Sequence, residues 1–122
     1  MMTILIVDDS DVDIKLTQAI IRREGIECDF LTASTGEEGI KTLESKAADL
    51  AIVDILMPGL DGFETCRKIK EMKPDMKVII LTGIEEELHP QKIRYAGADL
   101  YTTKKLIDYT LVKAIKKVMN LS

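Results

Sequence analysis

Ile4-Leu5-Ile6-Val7-Asp8-Asp9 and, further along, Leu50-Ala51-Ile52-Val53-Asp54 decide how this chain folds. Each is a short, bounded apolar run, as expected of a strand buried on both faces of a parallel sheet. Each also stops at a carboxylate. A strand-end acid is lifted out of the core onto the rim where open α/β sheets bind their ligands. Three carboxylates gathered there repel one another unless a cation or a proton joins them. Asp8, Asp9 and Asp54 therefore point to an oxygen-ligand site for a hard cation, with one aspartate available for chemistry.

Outward from these two runs, strand-like and helix-like stretches alternate without a linker. Asp11 is expected to cap a first helix with Val12, Leu16, Ala19 and Ile20 on its buried face, ended by Gly25. Cys28 to Ala33 reads as the second strand. A helix from Thr35 follows, with Ile40, Leu43 and Ala47 inward. Asp49 to Asp54 is the third strand. Met57-Pro58-Gly59 signals a turn, and a helix from Asp61 buries Phe63, Cys66, Ile69 and Met72 until Pro74 stops it. Lys77 to Thr82 is the fourth strand. A short helix, regular from Pro90, ends at Gly97. Asp99 to Thr103 is the fifth strand, and Asp108 to Asn120 the last helix, carrying Leu111, Ile115 and Val118 at helical spacing.

Five strand–helix units predict a doubly wound α/β fold with a parallel five-stranded sheet. Right-handed crossovers leave several strand orders open. In the order 2-1-3-4-5 the first and third strands are neighbours at the switch point, within reach of one cation. The chemistry thus helps choose the topology.

The bulk numbers agree with one domain spanning 1–122, since 122 residues suffice for one core and not for two. With 46% hydrophobic and 31% charged residues, disorder is not expected. A net charge of −4 argues against a general nucleic-acid surface. No stretch approaches the ~20 apolar residues of a membrane span, and no leader pattern opens the chain. Cys28 and Cys66 stand apart from any metal-ligand spacing and read as reduced packing residues in a cytoplasmic protein.

Two more strand ends complete the pattern: Thr82 offers a hydroxyl after the fourth strand, and Lys104 an ammonium after the fifth. Asp pair, Asp, Thr and Lys in that order resemble the receiver domain of two-component response regulators, of the chemotaxis-regulator-like superfamily with its flavodoxin-like fold. The stretch Val53-Asp54-Ile55-Leu56-Met57-Pro58-Gly59-Leu60-Asp61-Gly62 carries the resemblance most specifically, with Ala96-Gly97-Ala98-Asp99 behind it.

The resemblance implies that Asp54 accepts a phosphoryl group from a sensor histidine kinase or a histidine phosphotransfer protein. It implies Mg²⁺ held by Asp9, Asp54 and the Leu56 backbone carbonyl, with Asp8 acting mainly through water. Lys104 would hold a phosphoryl oxygen and Thr82 another, and Tyr101, three residues before Lys104, would turn inward as Thr82 moves. Leu56 and Ile84 fall at the two positions that border the attacking water. Both are apolar, so slow hydrolysis of the aspartyl phosphate is expected. Such a chain is a switch module and not a turnover enzyme, acting on an output domain or target protein that the residues do not name, as a monomer or a phosphorylation-dependent dimer. One departure stands out: Lys105 replaces the proline that usually follows the lysine. A cis bond there would cost about 3 kcal/mol, so a trans bond is expected.

Competing readings are weaker. Asp9-Ser10-Asp11-Val12-Asp13 opens like a calcium-binding EF-hand loop, but Ile14 and Ile20 stand where glycine and a bidentate Glu are needed. Asp11 and Asp13 read instead as first-turn residues favoured by the helix dipole. His89, with no partner in view, reads as a loop residue. A haloacid-dehalogenase-type phosphatase would place its nucleophile after the first strand and add a cap. A receiver-like scaffold that is never phosphorylated would not need these acids, threonine and lysine intact.

Overall fold

Alternate residues of the central strands face opposite sides of the sheet, and every residue from Ile4 to Val7 and from Leu50 to Val53 is buried. The computed structural model describes residues 2–83, 89–105 and 107–121. In chain order the elements are β1 (Met2–Val7), α1 (Asp11–Arg23), β2 (Cys28–Ala33), α2 (Gly36–Ser45) and β3 (Leu50–Val53). There follow α3 (Gly62–Met72), β4 (Lys77–Thr82), α4 (Pro90–Ala96), β5 (Leu100–Thr103) and α5 (Ile107–Val118). The five strands are parallel, in the order β2-β1-β3-β4-β5. Val7 is paired with Val53, and Thr82 with Thr103, so the carboxyl ends that precede Asp8, Asp54 and Lys104 share one edge.

The pleat sorts the core into two layers. Leu5, Val7, Ala51, Val53, Val78 and Ile80 pack with Leu43 of α2, Phe63, Cys66 and Ile69 of α3, and Ile93 of α4. Ile4, Ile6, Leu50, Ile52, Ile79 and Leu81 pack on the other side with Ile14, Ile20 and Ile21 of α1 and with Leu111 and Ile115 of α5. Helices on both faces are what a sheet without a polar face requires.

The expected elements are all present, with local corrections. Ser10, not Asp11, caps α1: its side chain accepts a hydrogen bond from the Asp13 backbone N–H. Val12, Leu16 and Ala19 point outward, while Ile14, Thr17, Ile20 and Ile21 are buried. Counting Thr17 as polar hides that stripe, because a buried threonine methyl packs like an apolar group. Ala47 lies beyond the end of α2 and is exposed, as is Met72 on the last turn of α3. Burial pushes the Cys66 thiol up to about 12, and its Sγ donates to the Ala96 carbonyl, which suits a packing residue.

At the opposite end of the sheet from these acids, Asp99 ties three elements together. Its Oδ2 accepts from the Val78 N–H at 2.8 Å and sits 2.7 Å from Lys70 Nζ. Lys70 also donates to the Met76 carbonyl at 2.7 Å. Among the described residues no helix is long and apolar enough to cross a membrane.

Candidate phosphoryl-acceptor site

Where β1 and β3 end, the chain leaves the sheet by hydrogen bonds that aim the acids at one point. The Asp8 N–H donates to the Ala33 carbonyl, and the Asp54 N–H to the Val7 carbonyl. Asp8, Asp9 and Asp54 each present a carboxylate oxygen, all within 4.8 Å of one another. Asp8 and Asp54 are buried and Asp9 is exposed, giving a cluster open to solvent on one side. An all-oxygen, fully anionic donor set matches a hard divalent cation of the Mg²⁺ type and offers nothing to a thiophilic one.

Lys104 reaches over the same cluster. Its Nζ lies 2.8 Å from Asp8 Oδ2, 2.7 Å from Asp13 Oδ2 and 3.8 Å from Asp54 Oδ1. The second Asp8 oxygen accepts from the Ser10 N–H at 3.0 Å. Asp13, read from the sequence as a dipole-favoured first-turn residue, is thus part of the charged constellation. The signal was there: once Ser10 is the cap, Ser10-Asp11-Val12-Asp13 puts an acid at the third helical position, on the turn adjoining the strand end.

Burial raises the Asp54 carboxyl from 3.8 to about 6; Lys104 opposes the shift, Asp8 adds to it, the Ile55 N–H opposes it, and Asp9 adds again. A group buried among like charges favours whatever neutralises it, a proton or a cation. Burial works against the Lys104 charge, but the bonds to Asp13 and Asp8 and the charges of Asp54 and Asp8 together raise it, and it stays an ammonium.

The Asp54–Ile55 peptide is pressed by the start of α3. Gly62 donates its N–H to the Ile55 carbonyl, and a Cβ at Gly62 would stand 2.1 Å from the Asp54 carbonyl oxygen. Asp61 caps the helix by accepting from Glu64 N–H at 2.9 Å. The turn before it adopts positive φ at Gly59, beside Glu37, whose carboxylate accepts from the Leu60 N–H.

The pattern that defines the family Response regulator receiver domain matches residues 4–116. The chain belongs to that family. This receiver is 34% identical over 119 residues to the alkaline phosphatase synthesis transcriptional regulatory protein PhoP of Bacillus subtilis, covering 98% of the chain and 49% of the relative. It is 37% identical over 123 residues to the response regulator UvrY of Escherichia coli, covering 97% and 54%. The receiver therefore spans about half the length of the curated relatives it matches. Among solved structures, the response regulator TrrA of Thermotoga maritima in complex with Mg(2+)-BeF superposes with a TM-score of 0.87 at 34% identity, over 97% of this chain and 99% of that one. A CheY-like receiver domain protein of Methanospirillum hungatei gives 0.88 at 32%, over 98% and 94%.

The remaining residues read from the sequence fall as follows. Thr82 is buried at the end of β4, and the Lys104 N–H donates to its carbonyl at 2.7 Å. The Tyr101 ring is 47% exposed on β5. Leu56 turns its side chain to solvent at 45% exposure. Ile84 lies outside the described residues. His89 is exposed and precedes α4 without a side-chain cap bond. No cis peptide bond occurs among the described residues, so Lys104–Lys105 is trans, and the Lys105 N–H closes a turn on Thr103 Oγ1 at 3.1 Å.

Proposed function

We propose that this receiver, one unit over residues 1–122, accepts a phosphoryl group on Asp54 from a phosphohistidine of a sensor kinase or phosphotransfer protein. The observation that carries the reading is the meeting of Asp8, Asp9 and Asp54 within 4.8 Å beneath the Lys104 ammonium. An Asp54 oxygen attacks phosphorus, the new O–P bond forms as the P–N bond to imidazole breaks, and the departing imidazole keeps the bond pair and takes up a proton. Asp9, Asp54 and the Leu56 carbonyl would hold Mg²⁺, with Asp8 supporting it through water; the related TrrA was solved with Mg(2+)-BeF. Bound there, the cation screens the repulsion between an anionic nucleophile and an anionic donor. Lys104 would hold a phosphoryl oxygen as charge spreads over the equatorial positions.

Thr82 lies one rung from Lys104, so a hydroxyl drawn to the new acceptor oxygens moves at the same strand ends. Tyr101, now outward, would fill the space Thr82 leaves and change the β5 surface offered to an output domain or target. A kinase-fed module of this kind works in the cytoplasm.

Incubation with Mg²⁺ and acetyl phosphate should add one phosphoryl mass to the chain and none to Asp54→Asn. An unchanged mass for the parent in the presence of Mg²⁺ would sink the reading; turnover of phosphomonoesters would favour the phosphatase alternative. The apolar Leu56 side chain cannot orient an attacking water, so Leu56→Asn should shorten the lifetime of the aspartyl phosphate by roughly tenfold, less than a full general base supplies because an amide orients the water without taking its proton. Equal or longer persistence of the phosphoryl mass in Leu56→Asn would count against that role.

A further inference from the structure

We infer that Asp13 is a positioning residue that detains Lys104 and slows the loading of Asp54. The inference deepens the phosphoryl-acceptor reading and rests on it. An ammonium has three donors. Two of them are engaged here, and the shorter bond, 2.7 Å, goes to Asp13 and not to either strand-end acid. Asp54 Oδ1, at 3.8 Å, is beyond hydrogen-bond distance.

Asp13 is well placed to keep its grip. Its N–H is bonded to Ser10 Oγ at 3.2 Å, which fixes the first turn of α1 independently of the carboxylate. Its side chain is 37% exposed, against 5% for Asp8, so it holds the ammonium at the mouth of the site rather than over the acceptor. The bridge spans 91 positions of sequence and joins α1 to the loop after β5.

Two consequences have opposite signs. Asp13 adds negative charge where an anionic phosphodonor must arrive, and it shares the Lys104 ammonium that should meet that donor. Removing its charge should therefore speed loading. Asp13 also adds to the negative field that attracts a divalent cation to the neighbouring acids. Removing its charge lessens that field and should weaken Mg²⁺ binding. A variant that merely loosened the fold would impair both.

The test compares the parent, Asp13→Asn and Asp11→Asn. Asp11 lies on the same turn and carries the same charge, so its variant controls for net charge alone. Mg²⁺ affinity is measured by isothermal titration calorimetry. The initial rate of mass gain from acetyl phosphate is then measured with each chain saturated in Mg²⁺. Asp13→Asn should load about threefold faster and bind Mg²⁺ about threefold more weakly, the scale of a half-exposed ion pair. Asp11→Asn should stay within about twofold of the parent on both counts. A parent that loads while Asp13→Asn loads no faster overturns the inference alone, as does an Asp11→Asn variant that matches Asp13→Asn. A parent that takes no phosphoryl group removes the receiver reading and this inference with it.

Discussion

With chelator present at pH 7.5, Asp54→Asn is expected to resist denaturant better than the parent by ~3 kcal/mol. The carboxyl titrates at about 6 in the folded chain and near its ordinary 3.8 when unfolded. The folded state thus holds the proton more tightly. Below the unfolded value both states are protonated and the position is neutral for stability. As pH climbs from the unfolded value to the folded one, the unfolded chain ionises first and stability falls, levelling off once the native chain also carries the buried anion. A shift from 3.8 to about 6 corresponds to the ~3 kcal/mol given above. Asparagine keeps the shape and never ionises. Denaturation curves of both chains at pH 3.5 should therefore nearly coincide, and they should separate between pH 4 and pH 7. Adding Mg²⁺ should narrow the gap from the parent's side, because the parent keeps all three carboxylates of the cluster and should bind the cation more tightly. An Asp54→Asn chain less stable than the parent at pH 7.5 in chelator would refute the account.

The other large effect belongs to Gly62→Ala. A methyl there would meet the Asp54 carbonyl oxygen at 2.1 Å and Ile55 Cα at 2.6 Å. Both are backbone atoms of the segment that leaves β3 at Asp54, so neither can rotate aside as a side chain would. The start of α3 must lift or the Asp54–Ile55 peptide must turn. Overpacking against main chain costs about 3 kcal/mol or more. The readouts are the chemical denaturation midpoint and the Mg²⁺ affinity. Both should drop, because the displaced peptide also carries the Asp54 carboxylate out of alignment with Asp8 and Asp9. A variant with the parent's midpoint would mean that helix and strand yield more easily than their contacts imply.

The sheet could be read from the sequence because buried parallel strands are written as uninterrupted apolar runs. Cys28–Ala33 and Lys77–Thr82 were bounded correctly to the residue. Strand ends then carried the acids, threonine and lysine to one edge without any need to know side-chain positions. The faces of helices were harder. Helix α1 carries apolar residues on two sides, and Val12 and Leu16 suggested the wrong one. Thr17, buried with Ile14, Ile20 and Ile21, marks the packed side only once the sheet is in place. Asp13 escaped for a related reason. Its partner lies on another element far along the chain, and local spacing reports only the helix it sits on.

Asp99 lends the fold an asymmetry with mechanical meaning. Its carboxylate fastens the amino end of β4, through Val78, to the start of β5, and through Lys70 to the back of α3. The opposite ends of the same two strands carry Thr82 and Lys104. A pull exerted there would act on beams clamped at the far end, so the motion expected of it is a tilt about a fulcrum rather than a slide. Helix α3 shares that fulcrum, and the displacement should grow from Tyr101, two residues from the clamp, to the far ends at Thr82 and Lys104.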